Sequence, residues 1–456
     1  MKRSLGSIDN GGDEASKSSS SSSKSNNVII EDVNSNAAKY KLQEGLKDVT
    51  SLNIEKRLGA GTYGTVFKGI DNKSGDIVAL KLIKFMDKSV RGFNGFPVTT
   101  VREIGILNSL KNENLVELKG IVRAESSSDA NKEKGKDVKY DAGSIFMIFE
   151  YTNYDLAGLI NNHDVQFTYD HYRSYTKQLL NGVHYMHSKN ILHRDIKAAN
   201  ILVTSNNVIK IADWGLARRM RPSQNSKDNK SKLTGPLIVT LHYRAPELLL
   251  ECTHYGAEVD MWNVGCLIAE LGIRTVLLRG TNEAEQLNLI FKLLGHPPHS
   301  SETLKIFSTY PGWNKLEIND SNRLESSLRE RLKNINPEMI DLIEKILHLE
   351  PCSRITAKDA LDAQVFSSPK HGQVPDAKDL KSFTSSVGEC HENDIKIQVE
   401  KQRREAHANK HAYRGKQGQQ YRQVTEADRE FEREQRKKRL EPQGKRFKIV
   451  KPIKKK

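Results

Sequence analysis

The alternation of apolar and polar positions changes character twice along the chain, at Leu52 and near Phe366. Before about residue 50 there is a serine tract, Ser18 to Ser23, and almost no periodic apolar pattern. Such composition cannot offset its ordering entropy and predicts a disordered extension over residues 1–50. From Leu52 the pattern becomes regular. Leu58 to Lys68 predicts strand, glycine turn, strand, and Ile77 to Ile83 a third strand. Val101 to Leu110 has helical spacing, with Val101, Ile104, Leu107 and Leu110 on one face. Leu115 to Val122 and Ser144 to Tyr151 read as further strands, and the polar stretch Ala124 to Gly143 between them as a long surface loop. Beyond Tyr151 helical periodicity dominates. Tyr169 to Ser188 carries Tyr172, Tyr175, Leu179, Leu180, Val183 and Met186 at buried-helix spacing. Short strands are expected at Ile201 to Val203 and Val208 to Ile211, and helices at Val259 to Leu271, Glu283 to Leu294 and Pro337 to Leu347. A β-rich part followed by a larger helical part makes the fold class α+β.

Composition modifies this picture at the ends. Of 456 residues, 37% are hydrophobic, low enough that some of the length is expected to be unpacked. The N-terminal stretch lacks the apolar region of a secretory signal, and no run of about 18 apolar residues predicts a membrane span. The four cysteines, Cys252, Cys266, Cys352 and Cys390, form no CxxC pair, which fits reduced thiols and suggests no zinc site. The net charge of +15 is concentrated in the tail: Ile395 to Lys456 holds 21 Lys/Arg against 8 Asp/Glu.

Candidate chemistry centres on His193 to Asn200, HRDIKAAN, followed eighteen residues after its Asp by Asp213-Trp214-Gly215. Phosphoryl transfer needs an acceptor hydroxyl aimed in line and positive charge over the phosphate oxygens. Asp195 can hold or deprotonate that hydroxyl, and Lys197 can sit beside the moving group. Asn200 and Asp213 are oxygen ligands of the kind Mg²⁺ prefers. Upstream, Gly59 to Gly64 fits G-x-G-x-x-G and Val66 extends it, so backbone amides can approach phosphates closely. The glycine loop lies between two strands with no helix after it, which disfavours a dinucleotide-binding fold. Seventeen residues past Gly64 a strand carries Lys81, and Glu103 on the next helix can pair with it. Each motif has a blander reading: a hairpin for the glycines, a solvated edge lysine for Lys81.

With Ala245-Pro246-Glu247 added, six motifs stand in order, and Leu52 to Phe366 resembles a eukaryotic protein kinase. The resemblance implies a bilobal fold over residues 51–366: a small β-rich N-lobe with helix C (51–151) and a mainly helical C-lobe (152–366). It implies ATP and Mg²⁺ in the cleft between them. Asp195 and Lys197 would be catalytic, and Asn200 and Asp213 metal ligands. ATP would be held by Leu58, Gly59, Ala60, Gly61, Thr62, Tyr63, Gly64, Val66, Ala79, Lys81, Glu103, Phe149, Glu150, Tyr151, Asp155 and Leu202. Arg354 matches the arginine that pairs with the glutamate of the Ala-Pro-Glu motif, here Glu247.

Within that family the details are similar to cyclin-dependent kinases. Pro97 to Glu103, PVTTVRE, resembles the helix through which these kinases meet a cyclin. Tyr154-Asp155-Leu156-Ala-Gly-Leu159, Lys197 to Asn200 and Cys390-His391-Glu392 resemble the transcription-elongation branch, which phosphorylates the RNA polymerase II C-terminal domain. That branch implies Ser/Thr-Pro substrates and a nuclear location. A cell-cycle-type cyclin-dependent kinase and a pseudokinase scaffold remain as alternatives. Arg102, Arg194 and Arg218 match the cluster that clamps an activating phosphothreonine. Thr62 and Tyr63 match inhibitory phosphosites of cell-cycle relatives, or form a turn closing over ATP.

Three departures stand out. Trp214 replaces the usual Phe, His242 replaces a usual tryptophan, and Thr234 lies six residues before Thr240 where five are usual. Thr234 is nonetheless the expected activating phosphosite. Residues 367–456 read as a basic, charged tail: a solvated surface, a nuclear-localisation signal, or a weak contact with nucleic acid.

Overall fold

The computed structural model describes residues 47–61, 64–83, 97–125, 140–220, 233–234, 240–298, 301–315, 324–383, 388–392, 433–434 and 436. The chain divides into two units, Met1–Ile395 and Lys396–Lys456. Expectations placed on residues 1–46, Thr62, Tyr63, the middle of the polar loop (126–139) and most of the basic tail lie outside the described residues.

Strands β1 (Lys47–Asp48), β2 (Leu52–Gly61), β3 (Gly64–Asp71), β4 (Ile77–Ile83), β5 (Leu118–Arg123) and β6 (Ile145–Glu150) form one sheet in the order β1-β5-β6-β4-β3-β2. Five pair antiparallel; β1 joins β5 in parallel, as the Asp48 carboxylate accepts from the amides of Thr50 (2.6 Å) and Glu125 (2.8 Å). Phe67, Leu80 and Phe146 fill one side of the sheet. At Gly64, a Cβ would lie 2.5 Å from the Leu82 carbonyl oxygen, so the hairpin return to β4 requires glycine.

Helix α1 (Val98–Ser109) packs differently from the stripe its spacing predicts. Leu107 and Leu110 are buried, but Val101 is 42% exposed and the inward positions are Glu103 and Ile106. The phase of the helix follows from Glu103, which must face inward to reach Lys81, and this turns Val101 outward. The apolar run from Leu115 is also divided. Leu115 and Val116 join Ile211 in the larger lobe, and β5 begins only at Leu118.

The larger lobe is built on helices α2 (Leu156–Asn161), α3 (Tyr169–Ser188), α4 (Glu258–Ile273), α5 (Glu283–Leu294) and α6 (Pro337–Ile346). It also carries short strands β7 (Tyr154–Asp155), β8 (Ile191–Leu192), β9 (Ile201–Val203), β10 (Ile209–Ile211), β11 (Arg218–Arg219), β12 (Leu233–Thr234) and β13 (His254–Tyr255). All six α3 positions predicted to face inward are buried. Helix α4 is buried from Val259 through Leu271 and is the axis of the lobe. Arg354 makes two bonds of 2.7 Å to Glu247, both side chains being almost wholly buried. Packing continues beyond Phe366: Arg173 donates to the carbonyls of His371 and Gly372, His171 Nε2 to that of Lys381, and Leu380 is buried. Among the described residues no helix is long and apolar enough to cross a membrane.

Helix α4 also holds Glu270, 4% exposed, which accepts a hydrogen bond from the Tyr243 hydroxyl. Burial pushes its carboxyl up to about 7, against the opposing effects of the Tyr243 bond and Arg279; Glu392 adds to the rise. Because the folded-state value lies above the unfolded one, this group favours the fold at low pH, and the benefit is lost as pH rises to about 7. Glu270→Gln should therefore stabilise the protein increasingly between pH 5 and 8, by on the order of 3 kcal/mol at the upper end. Urea unfolding of both proteins across that range checks it; a pH-independent difference would contradict it.

Candidate active site

Strand β4 presents Lys81 between two carboxylates. Its Nζ lies 2.8 Å from Glu103 Oε1 on α1 and 3.2 Å from Asp213 Oδ1. Burial works to lower the Lys81 pKa, but the charges of Asp213 and Glu103 outweigh it and raise it. Burial pushes Glu103 up against the pull of Lys81, whereas for Asp213 the charge of Lys81 prevails over burial and holds the carboxyl down. Asp213 is therefore ionised at neutral pH. Its backbone is left-handed, with φ 61°, a conformation costing a non-glycine residue about 1–3 kcal/mol.

The turn after Asp213 is set by Trp214, 1% exposed, whose Nε1–H donates to the Ile211 carbonyl (3.3 Å). Its ring meets the His193 imidazole edge-on at 4.9 Å between centroids. His193 Nε2 in turn donates to the Ala212 carbonyl at 2.9 Å. The tryptophan thus joins the HRD segment to the strand that delivers Asp213.

The HRD segment hangs from α4. Asp260, fully buried, accepts from the backbone amides of His193 (3.0 Å) and Arg194 (2.8 Å) and from His187 Nε2 (3.0 Å). Burial alone would raise its pKa, but these partners outweigh it and lower it. With the backbone held there, Asp195 receives the Thr240 hydroxyl at Oδ1 (2.9 Å) and Lys197 Nζ at Oδ2 (2.7 Å); Lys197 also reaches Thr240 (3.0 Å). Asn200 Nδ2 donates to the Asp195 carbonyl (2.8 Å) and to Oδ2 (3.1 Å), so Oδ1 of the amide is left as an acceptor.

Val66 and Met147 are the cross-strand partners of Lys81, and Ala79 pairs with Phe149. Leu58 and Gly59 lie on β2 and Leu202 on β9, while nothing is described of the Ala60 side chain or of Thr62 and Tyr63. Glu150 is turned away to Lys210 (2.9 Å) and the Glu117 amide (3.0 Å). Both oxygens of Asp155 are engaged: Oδ1 caps α2 at the Gly158 amide (2.7 Å), and Oδ2 accepts from the Glu392 amide (2.8 Å).

Arg102, Arg194 and Arg218 lie within electrostatic reach of one another. The Arg102 pKa is lowered by burial and then by the charges of Arg218 and Arg194. Arg194 Nη1 donates to the Tyr255 hydroxyl at 3.0 Å, and β12 pairs with β13 so that Thr234 stands opposite His254. Sequence reasoning missed three participants. Asp260 carries no motif signal beyond a helix pattern, Thr240 enters the sequence reading only as the reference for the Thr234 spacing, and Glu389 lies far downstream.

As a donor set, Asp213 offers an ionised carboxylate and Asn200 an amide oxygen, two hard oxygens. That suits Mg²⁺, which keeps several waters and shares substrate phosphate oxygens rather than taking an all-protein cage.

The protein kinase domain profile matches residues 52–366. Cyclin-dependent kinase C-1 of Arabidopsis thaliana is 40% identical over 347 residues, 75% of this chain and 64% of the relative. Cyclin-dependent kinase 9 of Homo sapiens is 39% identical over 332 residues, 72% of this chain and 82% of the relative; the Xenopus laevis 9-A protein gives 39% identity, with 72% and 83% covered. The chain spans less than two thirds of the length of the plant relatives.

Lys81→Met should abolish nearly all phosphoryl transfer while the fold persists, because the ammonium faces the cleft and a methionine can occupy the path of its stem. Kinase assay and thermal unfolding together check it. Retained turnover in the variant would remove Lys81 from the phosphate-binding role.

Proposed function

The chain belongs to the protein kinase family and, within it, to the cyclin-dependent kinases; from that premise we propose that it transfers the γ-phosphoryl group of ATP to Ser/Thr-Pro sites. The favoured substrate is the RNA polymerase II C-terminal domain, in the nucleus, in transcription elongation. The observation that carries the reading is Lys81 held between Glu103 and Asp213, at 2.8 and 3.2 Å. One cation is thereby aimed at the cleft by a pair of carboxylates.

In this mechanism Lys81 binds phosphate oxygens, and the glycine hairpin β2–β3 covers them with backbone amides. Asp195 orients the acceptor hydroxyl and takes its proton as the γ-phosphoryl group leaves ADP. Its Oδ1 already accepts a hydroxyl, that of Thr240, at 2.9 Å. Lys197, 2.7 Å from Asp195, steadies negative charge on the transferring group. Asp213 and Asn200 would hold Mg²⁺, which supplies neutralisation of the phosphate charge.

A cyclin is the proposed partner of α1. The helix exposes Val98 (71%) and Val101 (42%), apolar side chains on the face away from Lys81. Residues 51–366 are proposed as the catalytic domain. Residues 1–50 and 367–456 are then extensions, and the role of the basic tail in nuclear import or nucleic-acid contact belongs to the same proposal. Thr234 is proposed as the activating phosphosite. Its backbone pairing with His254 places it one residue from Tyr255, whose hydroxyl holds Arg194 of the arginine cluster. Charge-assisted bonds from several arginines can order such a segment.

The test is phosphorylation of heptad-repeat peptides by the purified cyclin complex. Asp195→Asn should lose about 10²–10⁴-fold in turnover. An inactive wild-type complex would favour a scaffold, and an unaffected Asp195→Asn variant would remove Asp195 from the proton-accepting role. Thr234→Ala should lower activity at least about tenfold, 1.4 kcal/mol in transition-state terms; full activity with cyclin bound would remove Thr234 from this role.

A further inference from the structure

The hairpin that carries the glycine loop contains an unfavourable pair. Lys56 on β2 and Lys68 on β3 are direct cross-strand partners, and like charges placed directly opposite destabilise a sheet. A single carboxylate resolves the conflict. Glu389 Oε2 lies 2.7 Å from Lys56 Nζ and Oε1 2.5 Å from Lys68 Nζ. Lys68 is also 4.8 Å from the centroid of the Tyr151 ring, at the connection between the lobes. Burial would raise the Glu389 pKa, but bonds from Lys56, Lys68 and Tyr151 outweigh it and hold the carboxyl at about 2. Its charge is therefore constant across the working pH range.

The segment bearing Glu389 is itself fixed to the connection and the larger lobe. The Cys390 amide donates to the Asn153 carbonyl (3.1 Å), and the Cys390 carbonyl accepts from Asp155 (3.2 Å). The Glu392 amide donates to Asp155 Oδ2 (2.8 Å). Helix α2 is shaped to admit it: a Cβ on Gly158 would stand 2.5 Å from the Cys390 carbonyl oxygen. Glycine is poor inside a helix, costing about 0.5–1 kcal/mol against alanine, and here close approach of another backbone explains it.

We propose that Glu389 is a positioning residue: anchored through Cys390 to the connection between the lobes, it bridges Lys56 and Lys68 and holds the glycine-loop hairpin over the cleft. The chain's own downstream segment thus sets the resting position of the loop that covers the nucleotide. This rests on the kinase reading for its consequence in turnover, but the hairpin restraint itself exists without nucleotide.

The experiment uses the full-length chain in two arms. In the nucleotide-free protein, hydrogen exchange of amides 52–71 is measured. In the cyclin complex, KM for ATP and kcat are measured separately. Glu389→Gln and Glu389→Lys should speed exchange in the hairpin alone and raise KM for ATP about fivefold, the scale of one partly exposed ion-pair interaction, with kcat little changed. Gly158→Ala, which alters no charge, should give the same pattern by displacing Cys390. The mirrored variant Glu389→Lys/Lys56→Glu/Lys68→Glu should restore both readouts. Unchanged exchange in the Glu389 variants overturns the proposal, as does faster exchange throughout the protein, which marks a general loss of stability. Failure of the mirrored variant to restore hairpin protection overturns it too. Absence of turnover in the wild-type complex would instead defeat the kinase reading, leaving the exchange arm to decide the restraint.

Discussion

A carboxylate with no exposure to solvent must find its stabilisation inside the protein, and Asp260 finds it in the HRD backbone. Two amides and one imidazole supply its bonds at 2.8–3.0 Å. An unsatisfied buried charge costs several kcal/mol, so the helix and the loop are obliged to each other. Arg194 adopts φ 71° at this point, a left-handed value for a bulky residue. The strain persists because Asp260 binds the two amides that lead into it, those of His193 and Arg194. From that fixed backbone Asp195 turns one way to Thr240 and Lys197, and Arg194 turns the other way to Leu216 and Tyr255. Asp195 with its two partners and Arg194 with its own are two sides of a single anchored turn.

The smaller lobe has its own constraint in Lys81, a cation that answers both Glu103 and Asp213. Since Glu103 rides on α1 and Asp213 on the turn after β10, the ion pairs report the rotation of α1 and the conformation of that turn together. An outward roll of α1 would leave Glu103, 4% exposed, without its partner. The outward valines of the same helix lie on the face a partner would press, so contact there and charge pairing inside act through one rigid element.

Much of this was legible in the sequence because local chemistry and periodicity agree. Tyr169 to Ser188 showed an unbroken apolar stripe and is α3 to the residue. Glu283 to Leu294 likewise matches α5, where Asn282 supplies the cap at the Glu285 amide. The reading failed where a polar group overrides the stripe. In α1 the four apolar positions suggested one phase, and the buried Glu103 imposes another. Leu115 and Val116 looked like strand residues, but a partner strand distant in sequence claims them. Ion pairs between residues hundreds of positions apart, such as Glu389 with Lys56 and Lys68, leave no periodic trace at all. Nor does periodicity mark the resumption of packing at residues 368–383, which depends on carbonyl groups binding Arg173 and His171.

Trp214 carries a consequence for molecules designed to bind the cleft. Its indole fills the space beneath His193 and spends its only donor on the Ile211 carbonyl. A compound that requires this turn to invert must evict the ring into water and leave a void behind, on the order of 3–5 kcal/mol if the void stays as open as one left by truncating a buried tryptophan. Selective chemistry against this protein is therefore better directed at ligands that accept the aspartate and tryptophan where they stand.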